Sequence, residues 1–87
     1  MPLAFLLVNV ETDSEKEILE IMKKTEGVEE AYMVYGVYDI IAKIKADTTA
    51  RLKDIILWRI RKLNKIRSTK TMMVSEETEP LGMQATT

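Results

Sequence analysis

The 87-residue chain has no cysteine and no histidine. That excludes thiol and imidazole nucleophiles, an imidazole general base, thiolate metal sites and a disulfide framework, and with them most chemistry open to a small enzyme. An excess of one charge is missing too. Thirteen Lys and Arg stand against fourteen Asp and Glu, a formal net charge of -1, so the chain has no general pull toward nucleic acid or anionic membranes. Nor is there a long apolar run. The opening PLAFLLVNV is nine residues, against the ~20 of a spanning helix, and it has neither a preceding basic segment nor a small-residue cleavage site. These absences point to a soluble, cytoplasmic protein of one domain with no cofactor and no metal.

What the chain does have is a succession of apolar stretches with distinct periods. Leu3 to Val10 is apolar at nearly every position, the pattern of a strand buried on both faces. ETDSEKEILEIMKKTEG then reads as a helix: Thr12 and Glu15 match a capping box, acidic residues fill the first turn, and Ile18, Ile21 and Met22 form one stripe. Lys23 and Lys24 suit the negative end of the dipole, and Gly27 suits the position just past the helix. Val28 to Tyr35 and Val37 to Ala46 read as strands around Gly36, close enough to be antiparallel. DTTARLKDIILWRIRKLN follows, with Asp47 or Thr48 as N-cap and Leu52, Ile55, Ile56, Ile60 and Leu63 on one side. Ile66 to Val74 supplies a fourth strand. Residues 76–87 are polar and broken by Pro80 and Gly82, a tail expected to be loose or ordered only at an edge. The order βαββαβ over residues 1–75 predicts an α+β, ferredoxin-like fold: a four-stranded antiparallel sheet with both helices on one face.

Along the first strand Leu3, Phe5 and Leu7 point one way and Ala4, Leu6, Val8 and Val10 the other. Both sets are apolar, yet the helices cover only one side. The other would be a larger apolar patch than soluble monomers tolerate, and a second copy is the simplest cover. Leu6 and Val8 are assigned to that pairing face. Leu57 and Trp58 lie roughly 100° or more from the centre of the second helix's stripe and are spare apolar surface for a flank or another protomer.

Asp39 is the odd residue in MVYGVYDIIAKIKA. Asp is depleted in strand interiors, and a buried charge needs a partner. Either its carboxylate accepts turn hydrogen bonds, or it is the anion that receives a ligand's ammonium while N–H groups of Gly36, Val37 and Tyr38 receive a carboxylate. Both readings stay open at this point. Gly36 is in any case a turn glycine. Tyr35 and Tyr38 flank the turn, and Thr69 and Thr71 share one strand face, residue types equally at home in ordinary strands. The cations of RIRKLNKIR sit at a helix C-terminus, where the dipole favours them, and read as solvated surface.

The element order, GVEEAYMVYGVYDII with its Gly-x-Tyr-Asp turn, and the alternating threonines of RSTKTMMV together resemble the effector-binding RAM domain of the Lrp/AsnC family of transcription regulators. The resemblance covers about residues 1 to 75. It implies a dimeric α/β barrel with sheets face to face, dimers assembled into tetramers or octamers, and a free amino acid bound between dimers at Tyr35, Gly36, Val37, Tyr38, Asp39, Thr69 and Thr71. Family members typically carry a helix-turn-helix domain first, whereas here strand one begins at once. The expectation is therefore a stand-alone RAM domain, an amino-acid sensor with no direct nucleic acid binding that works through assembly state or a full-length Lrp/AsnC regulator. The competing classes are a small cofactor-independent enzyme of the dimeric barrel type and a purely structural assembly protein.

Overall fold

A computed structural model describes residues 1–75; the tail expected over residues 76–87 lies outside the described residues. Four strands, β1 (Leu3–Val10), β2 (Val28–Met33), β3 (Ile40–Lys45) and β4 (Ile66–Met73), form one antiparallel sheet in the order β2-β3-β1-β4. Helix α1 (Glu15–Lys23) joins β1 to β2. Helix α2 (Thr49–Asp54), continued by a π-helical stretch over Ile55–Ile60, joins β3 to β4. This is the ferredoxin-like βαββαβ fold that the element order predicts.

The period of two in β1 decides where the core sits. Ala4, Leu6, Val8 and Val10 are buried, as are Ile40, Ala42 and Ile44 of β3, against Ile18 and Met22 of α1 and Leu52, Ile55 and Ile60 beyond β3. The assignment of Leu6 and Val8 to an interface between copies is thereby corrected. Both are fully buried inside the single chain, because this is the face that the helices cover. The open face of β1 carries Leu3, Phe5, Leu7 and Asn9, all half-buried. Across from them stand Ile41, Lys43 and Lys45 of β3 and Lys70 and Met72 of β4, with Tyr32 of β2 opposite Ile41.

Local signals at the helix ends are met unequally. Thr48 caps α2 as expected, its hydroxyl accepting from the Arg51 N–H at 3.0 Å. The Thr12–Glu15 capping box does not form. Ser14 is the N-cap instead, without a side-chain bond, because a turn closed by Ser14 N–H to Glu11 O passes through Asp13 at φ +66° and delays the helix start. The widened turn of the π-helical stretch, in which the Arg61 N–H donates to Ile56 O at 2.9 Å, brings residues five apart toward one face. Ile55 and Ile60 are accordingly both buried while Leu57 and Trp58 remain exposed.

Gly27 lies beyond the helix end, at the entry to β2, rather than at the position just past α1. Its φ is +92°, its carbonyl accepts from Lys45 N–H, and a Cβ there would stand 2.6 Å from Ile55 Cδ1 and 3.1 Å from Lys45 O. The second neighbour is backbone and cannot swing away. Gly27→Ala is expected to cost about 1–3 kcal/mol, seen as a lower urea midpoint at unchanged m. A variant as stable as the parent would show that the turn relaxes freely.

Candidate functional site

The strands around Gly36 are shorter than their apolar pattern suggests, since β2 stops at Met33 and β3 starts at Ile40. Asp39 accounts for much of this. Its N–H donates to Val8 O at 2.9 Å, its carbonyl accepts from Val34 N–H at 2.9 Å, and its Oδ2 accepts from Val10 N–H at 2.9 Å. The β1/β3 ladder ends at the pair Val8 and Ile40, so Val10, itself buried, has no backbone acceptor on that side. The carboxylate takes the place of the missing carbonyl. The Asp39 carboxylate is thus a structural acceptor, of a long-range bond to β1 rather than of the turn hydrogen bonds expected, and its second oxygen has no hydrogen bond among the described residues.

Between Val34 and Asp39 the chain projects into solvent. Tyr35 is fully exposed and Val37 82% exposed, Tyr38 is half-buried, and Gly36 at φ +133° has no atom within 4 Å of where a Cβ would stand. Beneath the loop lies a cleft of about 640 Å³, walled by Met33, Val34, Tyr35 and Asp39 on one side and Asp13, Glu15 and Lys16 on the other. Tyr35 and Asp39 therefore share a cleft, while Gly36 and Val37 form the tip above it. The start of α1 is a wall that sequence reading missed. No spacing within the chain signals it, because the contact joins residues about twenty positions apart in the sequence.

The threonines lie elsewhere. Thr69 pairs with Val8 and Thr71 with Leu6, which puts both on the helix-covered side of β4, at the opposite edge of the sheet from β2. Asp39 and Thr69 flank Val8 from its two neighbouring strands, roughly 10 Å apart at the usual strand spacing. Thr71 lines a separate groove of about 310 Å³ with Met73, Lys53, Ile56, Leu57 and Arg61. Within one chain the expected constellation is split in two. Leu57, which lines that second groove, is exposed, as is Trp58. On the outer strand β2, Glu30 accepts from the Tyr32 hydroxyl at 2.9 Å, which raises the phenol pKa above its ordinary value. Among the described residues no cluster of acidic side chains is arranged to hold a metal ion.

The hydrogen bond to Val10 separates two substitutions at Asp39. Asp39→Ala leaves a buried N–H unpaired and should destabilise the fold by about 1–3 kcal/mol. Asp39→Asn keeps an acceptor oxygen and should cost well under that, so paired denaturation curves that coincide would contradict the ladder-ending role.

The Lrp/AsnC ligand binding domain profile matches residues 3–82. An uncharacterized HTH-type transcriptional regulator of Pyrococcus furiosus is 32% identical over 73 residues, a span of 80% of this chain and 49% of that protein. The chain thus spans about half the length of the curated relatives it matches. A hypothetical protein of Pyrococcus horikoshii has the same fold at a TM-score of 0.83 with 39% identity, covering 88% of this chain and 93% of that one. A transcriptional regulator of Neisseria meningitidis, solved in complex with L-Met, shares the fold at a TM-score of 0.79 with 14% identity, over 90% of this chain and 52% of that one.

Proposed function

The chain belongs to the Lrp/AsnC ligand-binding-domain family, and from that premise we propose that it is an oligomeric sensor of a free amino acid. Two copies pair through their open sheet faces. The effector binds at the β2–β3 loop of one copy and is completed by groups from another, and occupancy reaches transcription through assembly state or a full-length Lrp/AsnC regulator. The protein acts in the cytoplasm, without nucleic acid binding or catalysis of its own. Among the described residues no helix is long and apolar enough to cross a membrane.

The observation that carries this reading is the loop itself. It holds Tyr35 and Val37 out in water above a cleft, leaves Gly36 open to close approach, and sets beside them a carboxylate with one oxygen fixed by Val10 and the other unbonded. A zwitterion needs an anion for its ammonium and N–H donors for its carboxylate, and this loop has both kinds of group. Thr69 and Thr71, on the far edge, reach such a ligand only from a second copy. Because ligand held between copies favours the assembled form by its differential affinity, binding and assembly are linked.

The test is a thermal-shift screen of the amino acids, methionine among them. A ligand selective for the folded protein raises its stability by RT ln(1 + [L]/Kd), enough to register even weak binding at millimolar concentration. One amino acid or a related group should raise Tm, and Asp39→Asn should lose roughly 1.5–3 kcal/mol of that binding while folding normally. No shift with any of them sinks the effector reading.

Pairing is checked separately. Leu7 sits on the open face and Leu6 beneath the helices, so Leu7→Asp should sediment as a folded monomer while Leu6→Asp should fail to fold. A Leu7→Asp protein that remains dimeric would rule out this face.

A further inference from the structure

The two walls of the cleft beneath the β2–β3 loop differ in character. Met33, Val34 and Tyr35 make an exposed, largely apolar side, while Asp13, Glu15 and Lys16 at the start of α1 make a charged one. Asp39 lines the same cleft with one oxygen unbonded among the described residues. Asp13 and Glu15 each have a local reason for their place. Asp13 stands at φ +66°, a conformation that Asp adopts more readily than most residues, and Glu15 is in the first turn of α1, where the dipole favours an anion. Neither charge is neutralised within the chain. Among the described residues Asp13, Glu15 and Lys16 make no ion pair, whereas Glu17, Glu26, Glu29 and Glu30 each have a cationic partner.

The balance of charge in the cleft is therefore negative. Three carboxylates against the one ammonium of Lys16 give its lining a formal charge of -2. The N-terminus of α1, whose N-cap Ser14 makes no side-chain bond, offsets this by roughly half an elementary charge and does not reverse it. The two α-groups of a free amino acid cancel, so the field acts on the side chain. It repels a carboxylate, is nearly indifferent to a neutral group and attracts a cation. Space and surface also bear on the form of that cation. The volume of about 640 Å³ falls within the roughly 300–1,000 Å³ of small-molecule sites, and Met33 and Val34 offer apolar surface on which methylenes pack while a charged head lies beyond them.

We infer that the effector of this cleft is an amino acid with a cationic side chain on a flexible apolar stem, of the lysine, ornithine or arginine type. This rests on the effector reading above and names its ligand class. With the α-ammonium at Asp39 and the α-carboxylate at the loop N–H groups, the stem runs along Met33 and Val34 and the cationic head comes to Asp13 and Glu15. Asp39 then reads what all amino acids share, and the start of α1 reads what distinguishes them. Lys16 does not make the cleft a site for acidic side chains, because a carboxylate brought to it also meets the two anions that flank it in sequence.

The experiment is calorimetric titration of the full chain with lysine, with norleucine, which has the same carbon skeleton without the amine, and with glutamate. At about 0.01 M salt lysine should bind about fivefold more tightly than norleucine or better, the effect of one well-formed exposed ion pair, and glutamate more weakly than norleucine. The lysine preference should shrink at about 1 M salt, where the Debye length falls from roughly 30 to 3 Å. Asp13→Asn/Glu15→Gln keeps the size of both side chains, and Asn suits the positive φ at position 13; this variant should bring lysine to the affinity of norleucine. Glu20→Gln removes an anion from α1 outside the cleft and should keep the parent's preference. Norleucine binding as tightly as lysine, glutamate binding best, a preference that survives the double substitution, or one lost equally in Glu20→Gln would each overturn the inference and leave an amino-acid sensor standing. Binding of no amino acid at all is the failure of the effector reading itself, and the ligand class falls with it.

Discussion

A sheet has two faces, and this chain has helices for one of them. That constraint organises the molecule. β1 is central and apolar on both sides, so its inward set, Ala4, Leu6, Val8 and Val10, forms the floor of the core while Leu3, Phe5 and Leu7 are left on the outside, half-covered by neighbouring strands. Even-numbered β1 residues are inside because Val8 pairs with Ile40 and Leu6 with Ala42, and these partners face the stripes of α1 and α2. A one-residue slip in that register would exchange every inside residue for an outside one. The side chains that tie the register down are therefore as important to the outer face as those that fill the core.

Asp39 is one such group. Strand pairing stops at Ile40, and a β-strand that stops beside a longer neighbour leaves that neighbour's next buried N–H without an acceptor. The carboxylate resolves this for Val10, while the residue's own backbone bonds to Val8 and Val34. Three bonds from one residue hold the start of β3 against both of its neighbours. The loop above it is free to project Tyr35 and Val37 because its two ends are clamped together there.

The element order and the apolar periodicity were legible in the sequence because both are local. The βαββαβ succession, the Thr48 cap, the stripe of Leu52, Ile55, Ile56 and Ile60, and the outward placement of Leu57 and Trp58 all follow from residues within a turn or two of each other. The choice between two equally apolar faces was not legible. Leu6 and Leu7 have the same side chain, and only the hand of the strand–helix connection and the pairing register decide which is covered. The Thr12–Glu15 box failed for a local reason, since a turn through Asp13 preempts it. The candidate site was half legible: its loop residues are contiguous, but its opposite wall at Asp13, Glu15 and Lys16 is assembled only by folding.

Charge shows most clearly how folding makes a property that composition lacks. A net charge near zero suggests an electrostatically featureless surface, and summed over the chain it is. The acidic residues are concentrated before β3 and the basic ones after it, and the split βαβ topology sends the strands of those two segments, β2 and β4, to opposite edges of the sheet. Had β2 and β4 been neighbours, the same residues would have formed ordinary cross-strand ion pairs, each worth a few tenths of a kcal/mol up to about one. With β1 and β3 between them the two edge strands cannot meet, and the segments are joined elsewhere, where Arg51 pairs with Glu26 and Lys65 with Glu17, each at 2.8 Å.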